Sequence, residues 1–250
     1  MRGRARRAWF LAAAALLGPA IAISTAQRNQ PIYPAYDGFL QNPDGSYTIA
    51  FAYFSHNAET VTVPPGPNNG FEPAPGDRQQ PTTFRPGHWR FQCVMVVGKE
   101  FDGKLVWNLS YSGTSTGTSQ RMLQSNYNLV EGAAELAKID YAKVPRGVCL
   151  NRAPTVRVLG TAGRGRGAAA GLNVEAAVGE EFSLFGSVVD EGLPRNGKLT
   201  TEWKMLKGPG TVKFENPNSA RTHATFSAPG TYELELAASD SELSTGARIS

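Results

Sequence analysis

Three groups of side chains in this sequence could do chemistry. The first is acidic: Asp190 and Glu191 in one turn, Asp240 and Glu242 in another. Carboxylates and backbone carbonyls are hard oxygen ligands of the kind Ca²⁺ takes. The same acids also serve to cap turn amides and solvate loops. The second group is the cysteine pair, Cys93 and Cys149. The third is the histidines His56, His88 and His223, far apart in sequence and framed by no acidic or serine motif.

Catalytic signatures are missing. No Gly-x-Ser-x-Gly marks a nucleophile, and no phosphate loop or dinucleotide fingerprint is present. Glycoside hydrolysis needs two placed carboxylates, but among 21 acids some pairing is inevitable and argues nothing. The expectation is a protein that is not an enzyme. A serine–histidine–acid set assembled only in space stays open as the alternative.

The cysteines depend on compartment. Arg2, Arg4, Arg6 and Arg7 precede an apolar run from Trp9 to Ile23, with small residues at its exit. This is the layout of a signal peptide, and the run falls short of the ~20 residues of a comfortable membrane span. Residues 1–26 are read as the leader, cut after Ala22 or Ala26; an uncleaved N-terminal anchor is the other reading. The expected location is periplasmic, cell-surface or secreted, with no membrane span after cleavage.

In such a compartment an even pair of cysteines is expected to join. Closing a loop of about 57 residues would stabilise the fold by roughly 4 kcal/mol. Two buried free thiols are the alternative. No Cys-x-x-Cys or Cys/His cluster suggests a metal or redox centre.

The leader also explains the charge. The chain carries 25 Lys and Arg against 21 Asp and Glu. Four of the arginines leave with the leader, so the mature chain is near neutral. No basic footprint for nucleic acid remains.

The elements that must position these groups read as strands. Tyr47–Phe54 alternates after an Asn42-Pro43-Asp44-Gly45 turn, and residues 60–63 form a short second strand. Residues 64–81 are too rich in proline for a helix or central strand and read as a long ordered loop or a flap. Trp89, Phe91, Cys93, Met95 and Val97 share one face of a strand. Leu105, Trp107, Leu109 and Tyr111 share one face of the next, and Asp102-Gly103 suggests a hairpin between them. Trp89 and Trp107 read as core residues rather than sugar-stacking platforms. Residues 113–119 are a loop by composition, and 129–142 holds the one candidate helix, at most a few turns long.

Asn151-Arg152-Ala153-Pro154 looks like a joint between two domains, 27–150 and 151–250. Residues 160–171, rich in Gly, Ala and Arg, read as a flexible insertion. About seven strands then follow across the second half at sandwich spacing. The fold class expected is all-β, with two β-sandwich-like domains.

The second half also resembles a known family. Ala153-Pro154-Thr155-Val156, Asp190-Glu191-Gly192-Leu193-Pro194, Leu199-Thr200-Thr201-Glu202-Trp203, Gly208-Pro209-Gly210, Ala224 to Tyr232 and Ala238-Ser239-Asp240 carry the resemblance. Together they resemble the PKD (polycystic kidney disease repeat) family, an Ig-like β-sandwich. The resemblance covers nearly all of 151–250 and implies fold more than function, since such modules serve as spacers, adhesion units or accessories to exported enzymes.

Trp203 in mid-strand then reads as the core anchor, and Tyr232 after Pro229-Gly230 as a tyrosine corner. The two acidic turns would fall at one end of this sandwich, which makes Asp190, Glu191 and Asp240 the candidate Ca²⁺ ligands. The first half resembles a region of uncharacterised exported bacterial proteins, through Tyr36-Asp37-Gly38 and Asp44-Gly45-Ser46-Tyr47, and brings no mechanism with it. The function expected is a binding, adhesion or spacer module at the cell envelope with a protein or glycan partner. The alternative is a secreted hydrolase or an accessory subunit of an exported carbohydrate- or protein-degrading enzyme.

Overall fold

The alternation read from the sequence becomes strand after strand in the computed structural model, which describes residues 29–118, 121–129, 134, 136–159 and 173–250. The segment read as a leader, 1–26, and the whole Gly/Arg-rich segment, 160–171, lie outside the described residues. Among the described residues no helix is long and apolar enough to cross a membrane. The protein is nearly all β, built from antiparallel sheets.

The first half contains β1 (Ile32–Gln41), β2 (Tyr47–Ser55), β3 (Val61–Thr62), β4 (Asn69–Glu72), β5 (Thr83–Phe84), β6 (Gly87–Val97), β7 (Val106–Tyr111) and β8 (Thr114–Gly117). One sheet has the order β1-β2-β6, another β4-β7-β8, and β3 pairs with β5. Phe51, Phe71, Phe84, Met95 and Trp107 fill the core between them. The Phe71 and Trp107 rings stack with centroids 5.8 Å apart. Both tryptophans of this half pack with that core, Trp107 fully buried and Trp89 partly so. Such aromatic contacts add to their area burial.

Three expectations change here. The strands at 87–97 and 106–111 are not a hairpin: β6 pairs with β2, while β7 pairs with β4 and β8. Residues Gln92–Val97 of β6 are all buried, so this strand needs cover on both faces and sits in the opposite sheet from β7. Phe91 also leaves its expected face. It has a positive φ of 54°, the β2–β6 register slips between Phe51 and Tyr53, and its ring joins a second cluster with Ala50, Val94 and Leu136. Finally, the Ser/Thr stretch read as a loop contains strand β8, since its residues complete the ladder along β7.

The proline-rich 64–81 segment is an ordered loop carrying outer strand β4. It is held by buried amides. Asn69 accepts from the Trp107 indole at 2.9 Å and donates to the carbonyls of Val63 and Pro81. Gln80 donates to the Asn69 carbonyl at 2.8 Å. The candidate helix is reduced to a 3-10 turn at Leu136–Lys138 among the described residues; positions 130–133 and 135 lie outside them. Leu136 covers the back of β2 and β6. Cys93 and Cys149 are joined, with Cα atoms 4.9 Å apart, which ties the chain just before the joint to the middle of β6.

The second half comprises β9 (Thr155–Leu159), β10 (Phe182–Val189), β11 (Thr200–Lys207), β12 (Val212–Phe214), β13 (Arg221–Phe226), β14 (Glu233–Ser239) and β15 (Ser244–Ile249). Its sheets run β12-β13-β10-β9 and β11-β14-β15. This is the strand order of a seven-stranded constant-type immunoglobulin sandwich. Trp203 is 2 % exposed and stands with Leu184, Leu234 and Leu236 in the core. The Tyr232 hydroxyl donates to the Ala228 carbonyl at 2.9 Å, closing the corner expected of it. A Cβ on Gly186 would lie 2.3 Å from a Leu236 methyl and 2.7 Å from the Ala220 carbonyl, so only glycine lets the two sheets approach there.

Candidate functional site

The acidic turns meet where the two halves touch. Asp190 and Glu191 leave the end of β10, and Asp240 leaves the end of β14. Asp190, Glu191 and Asp240 line one small cleft with Arg85 of the first half, and all three acids are buried. The one-end placement expected from the sandwich order is therefore observed.

Each acid has local work. The Gly192 amide donates to Asp190 Oδ2 at 2.7 Å. The amides of Glu242 and Leu243 donate to Asp240 Oδ1 at 2.7 and 2.6 Å. The Arg152 amide donates to Glu191 Oε1 at 2.6 Å, and the Arg152 guanidinium stands 3.4 Å from Oε2. Glu242 lies outside the cleft lining and accepts from the Asn151 amide at 3.0 Å. Amide capping, one of the two uses foreseen for these acids, thus engages one oxygen of each. Asp190 Oδ1 and Asp240 Oδ2 are buried with no partner among the described residues.

Electrostatics follow burial. Glu191 is pushed up to about 7, because desolvation penalises the carboxylate more than Arg152 favours it. Asp190 is also raised, first by burial, then by the like charge of Asp240. Ca²⁺ asks for several converging oxygens. Among the described residues no three His, Cys, Asp or Glu side chains gather as a metal set. The positive charge at these acids comes from arginines, and the donor set offers two unengaged carboxylate oxygens rather than a cage.

Those arginines join the halves. Arg85 Nη2 donates to the Asp190 carbonyl at 2.6 Å while its guanidinium lies 3.8 Å over the Trp89 ring. The Arg152 guanidinium also donates to the Phe91 carbonyl. Arg195 forks onto Asp77 at 2.6 and 2.9 Å and donates to the Gln80 carbonyl at 3.1 Å. A bidentate guanidinium–carboxylate pair is both strong and directional, and it holds Asp77 below the usual carboxylate range. Between these contacts Leu193 is buried among the apolar residues of the first half. The segment 190–195 is thus a tongue from the sandwich seated in the other half.

The sequence singled out Asp190 and Glu191 but missed Arg85, Arg152, Arg195 and Leu193. Leu193, an apolar residue between turn-forming Gly192 and Pro194, was the available signal: a loop without a partner surface has no reason to carry it.

The histidines do not assemble. His56 packs edge-on against Phe54 and Tyr33, and His88 lies 6.2 Å from Phe54. Tyr33 and Phe54 are cross-strand partners and both exposed, so the group forms a row on the outer face of the β1-β2-β6 sheet. His223 pairs with Glu215 at 2.8 Å on the surface of the sandwich, and that carboxylate raises its pKa. No family model matches the chain, and no solved structure matches it.

Proposed function

We propose that this chain is an exported, non-catalytic binding and spacer module of the cell envelope, its second half a PKD-type sandwich. The observation that carries the reading is the interlocked joint. Leu193 buried in the first half, the Arg195–Asp77 fork and the Arg85 and Arg152 bonds together constrain the relative placement of the two halves. A spacer or adhesion unit needs such a fixed geometry. An enzyme that closes over substrate between two halves needs the opposite.

Export is supported by the Cys93–Cys149 disulfide, a bond that persists in oxidising compartments. The hydrolase or accessory-subunit reading draws on the histidines, and their aromatic and surface surroundings give it no base–carboxylate pair inside a cleft.

Two measurements test the proposal. Cell fractionation should find the chain outside the cytoplasm. The purified full chain should co-sediment with isolated envelope material, either membranes or cell-wall polymer. Failure to sediment with any envelope fraction overturns the reading.

A further inference from the structure

A second cleft opens beside the joint, on the outer face of β9 and β10. In that ladder Ser187 opposes Arg157 and Val189 opposes Thr155. Their neighbours Val156, Val158 and Val188 pack with the sandwich core, so alternation turns Thr155, Arg157, Ser187 and Val189 outward. Across from them stand Arg90, Phe91 and Gln92 of β6, and Lys138 of the 3-10 turn. The space between is about 790 Å³, within the range of small-ligand sites.

The lining carries a surplus of positive charge. Four cations border it: Arg90, Lys138, Arg152 and Arg157. Arg90 is answered by Asp37 at 2.8 Å and Arg152 by Glu191. Lys138 and Arg157 are exposed and have no ion-pair or hydrogen-bond partner among the described residues. Arg152 Nε is buried and also lacks an acceptor. The two acids of the lining, Asp190 and Glu191, are buried; each has one oxygen accepting a backbone amide, while Asp190 Oδ1 has no partner among the described residues. Thr155, Ser187, Thr245, Gln92 and Phe91 complete the lining; the Gln92 amide donates to the Arg90 carbonyl at 3.0 Å, and the Arg90 guanidinium lies 4.6 Å over the Phe91 ring.

This combination matches a sugar that carries charge. Guanidinium and ammonium groups take oxyanions, and the hydroxyls of Thr155, Ser187 and Thr245 match ring hydroxyls. An acidic peptide also meets clustered cations, but it brings no ring hydroxyls to answer Thr155, Ser187 and Thr245. β9 is the edge strand of its sheet, hydrogen-bonded to β10 alone, with β15 packed nearby.

We infer that this cleft binds an anionic oligosaccharide, with Lys138 and Arg157 taking its carboxylate or phosphate oxygens. The inference rests on the binding-module reading and names its ligand class.

The test is titration calorimetry on the full chain with four probes. These are a galacturonic-acid pentamer, a phosphate-bearing oligomannose, a neutral galactose pentamer and a glutamate oligopeptide. One or both charged glycans should bind, more weakly as salt rises, and their ranking decides between carboxylate and phosphate. The neutral pentamer should bind at least tenfold more weakly. Lys138→Ala and Arg157→Ala should each weaken binding about tenfold with the melting temperature unchanged, because both side chains are exposed.

Undiminished binding in the double variant, equal affinity for the neutral pentamer, or preference for the glutamate peptide would each overturn the inference. So would failure of both charged glycans to bind. Co-sedimentation of the Lys138→Ala/Arg157→Ala double variant with envelope material separates the two proposals: retained sedimentation leaves the envelope reading standing.

Discussion

Glu191→Gln should change how the stability of this protein depends on pH. The buried carboxyl is raised from an ordinary 4.5 to about 7. At one pKa unit per 1.36 kcal/mol, that shift corresponds to roughly 3 kcal/mol of differential stability. The sign follows from proton binding. Between the two values the folded chain holds the proton and the unfolded chain has lost it, so stability falls as pH rises. The contribution is fully present below 4.5 and is lost as pH passes through about 7.

Glutamine keeps the oxygen that accepts the Arg152 amide and removes the titration. The assay is denaturant unfolding of both chains at intervals from pH 5 to 8. Every other group titrates in both proteins, so the difference between their curves isolates Glu191. Relative to the glutamine variant, the parent should lose about 3 kcal/mol across that range. The raised Asp190 carboxyl adds a slope of the same sign to both chains and cancels in the comparison. Parallel curves, or a parent that gains relative stability toward pH 8, would refute the argument that burial outweighs Arg152 at this carboxylate.

Four further outcomes are expected. Trp203→Ala should cost about 3–5 kcal/mol in chemical denaturation, since the ring is fully enclosed by the sandwich core; a loss below 1 kcal/mol would contradict that enclosure. Replacing both Cys93 and Cys149 by serine should lower stability by about 4 kcal/mol, and thiol titration of the unreduced parent should detect no free thiol. Leu193→Ala should cost about 2–5 kcal/mol and loosen the halves, read as separate rotational correlation times by NMR relaxation; unchanged joint tumbling would count against the tongue as a fastener. Millimolar Ca²⁺ should leave the melting temperature unchanged, because Arg152 pairs with Glu191 and the Arg85 charge lies close to Asp190; a rise of several degrees would reveal a bound ion through linkage.

Features that depend on near neighbours were legible in the chain. Strand alternation is a period of two, so the strands around Tyr47–Phe54, Trp203 and Leu234 were legible, as was the Tyr232 corner closed four residues away. The two cysteines, behind a segment that reads as a leader, were enough to anticipate their pairing, and the sandwich order placed both acidic turns at one end.

Which strand lies beside which emerged only on folding. Alternation in β6 and β7 is the same whether they form a hairpin or face each other from different sheets. Burial of β6 on both faces settled the matter in favour of separate sheets.

The joint was hidden for the same reason. Arg85 meets Asp190 across 105 positions and Arg195 meets Asp77 across 118. No local pattern records such a pairing. An acid that looks like a solvated turn residue in sequence becomes a desolvated, proton-holding group only when the other half of the chain closes over it.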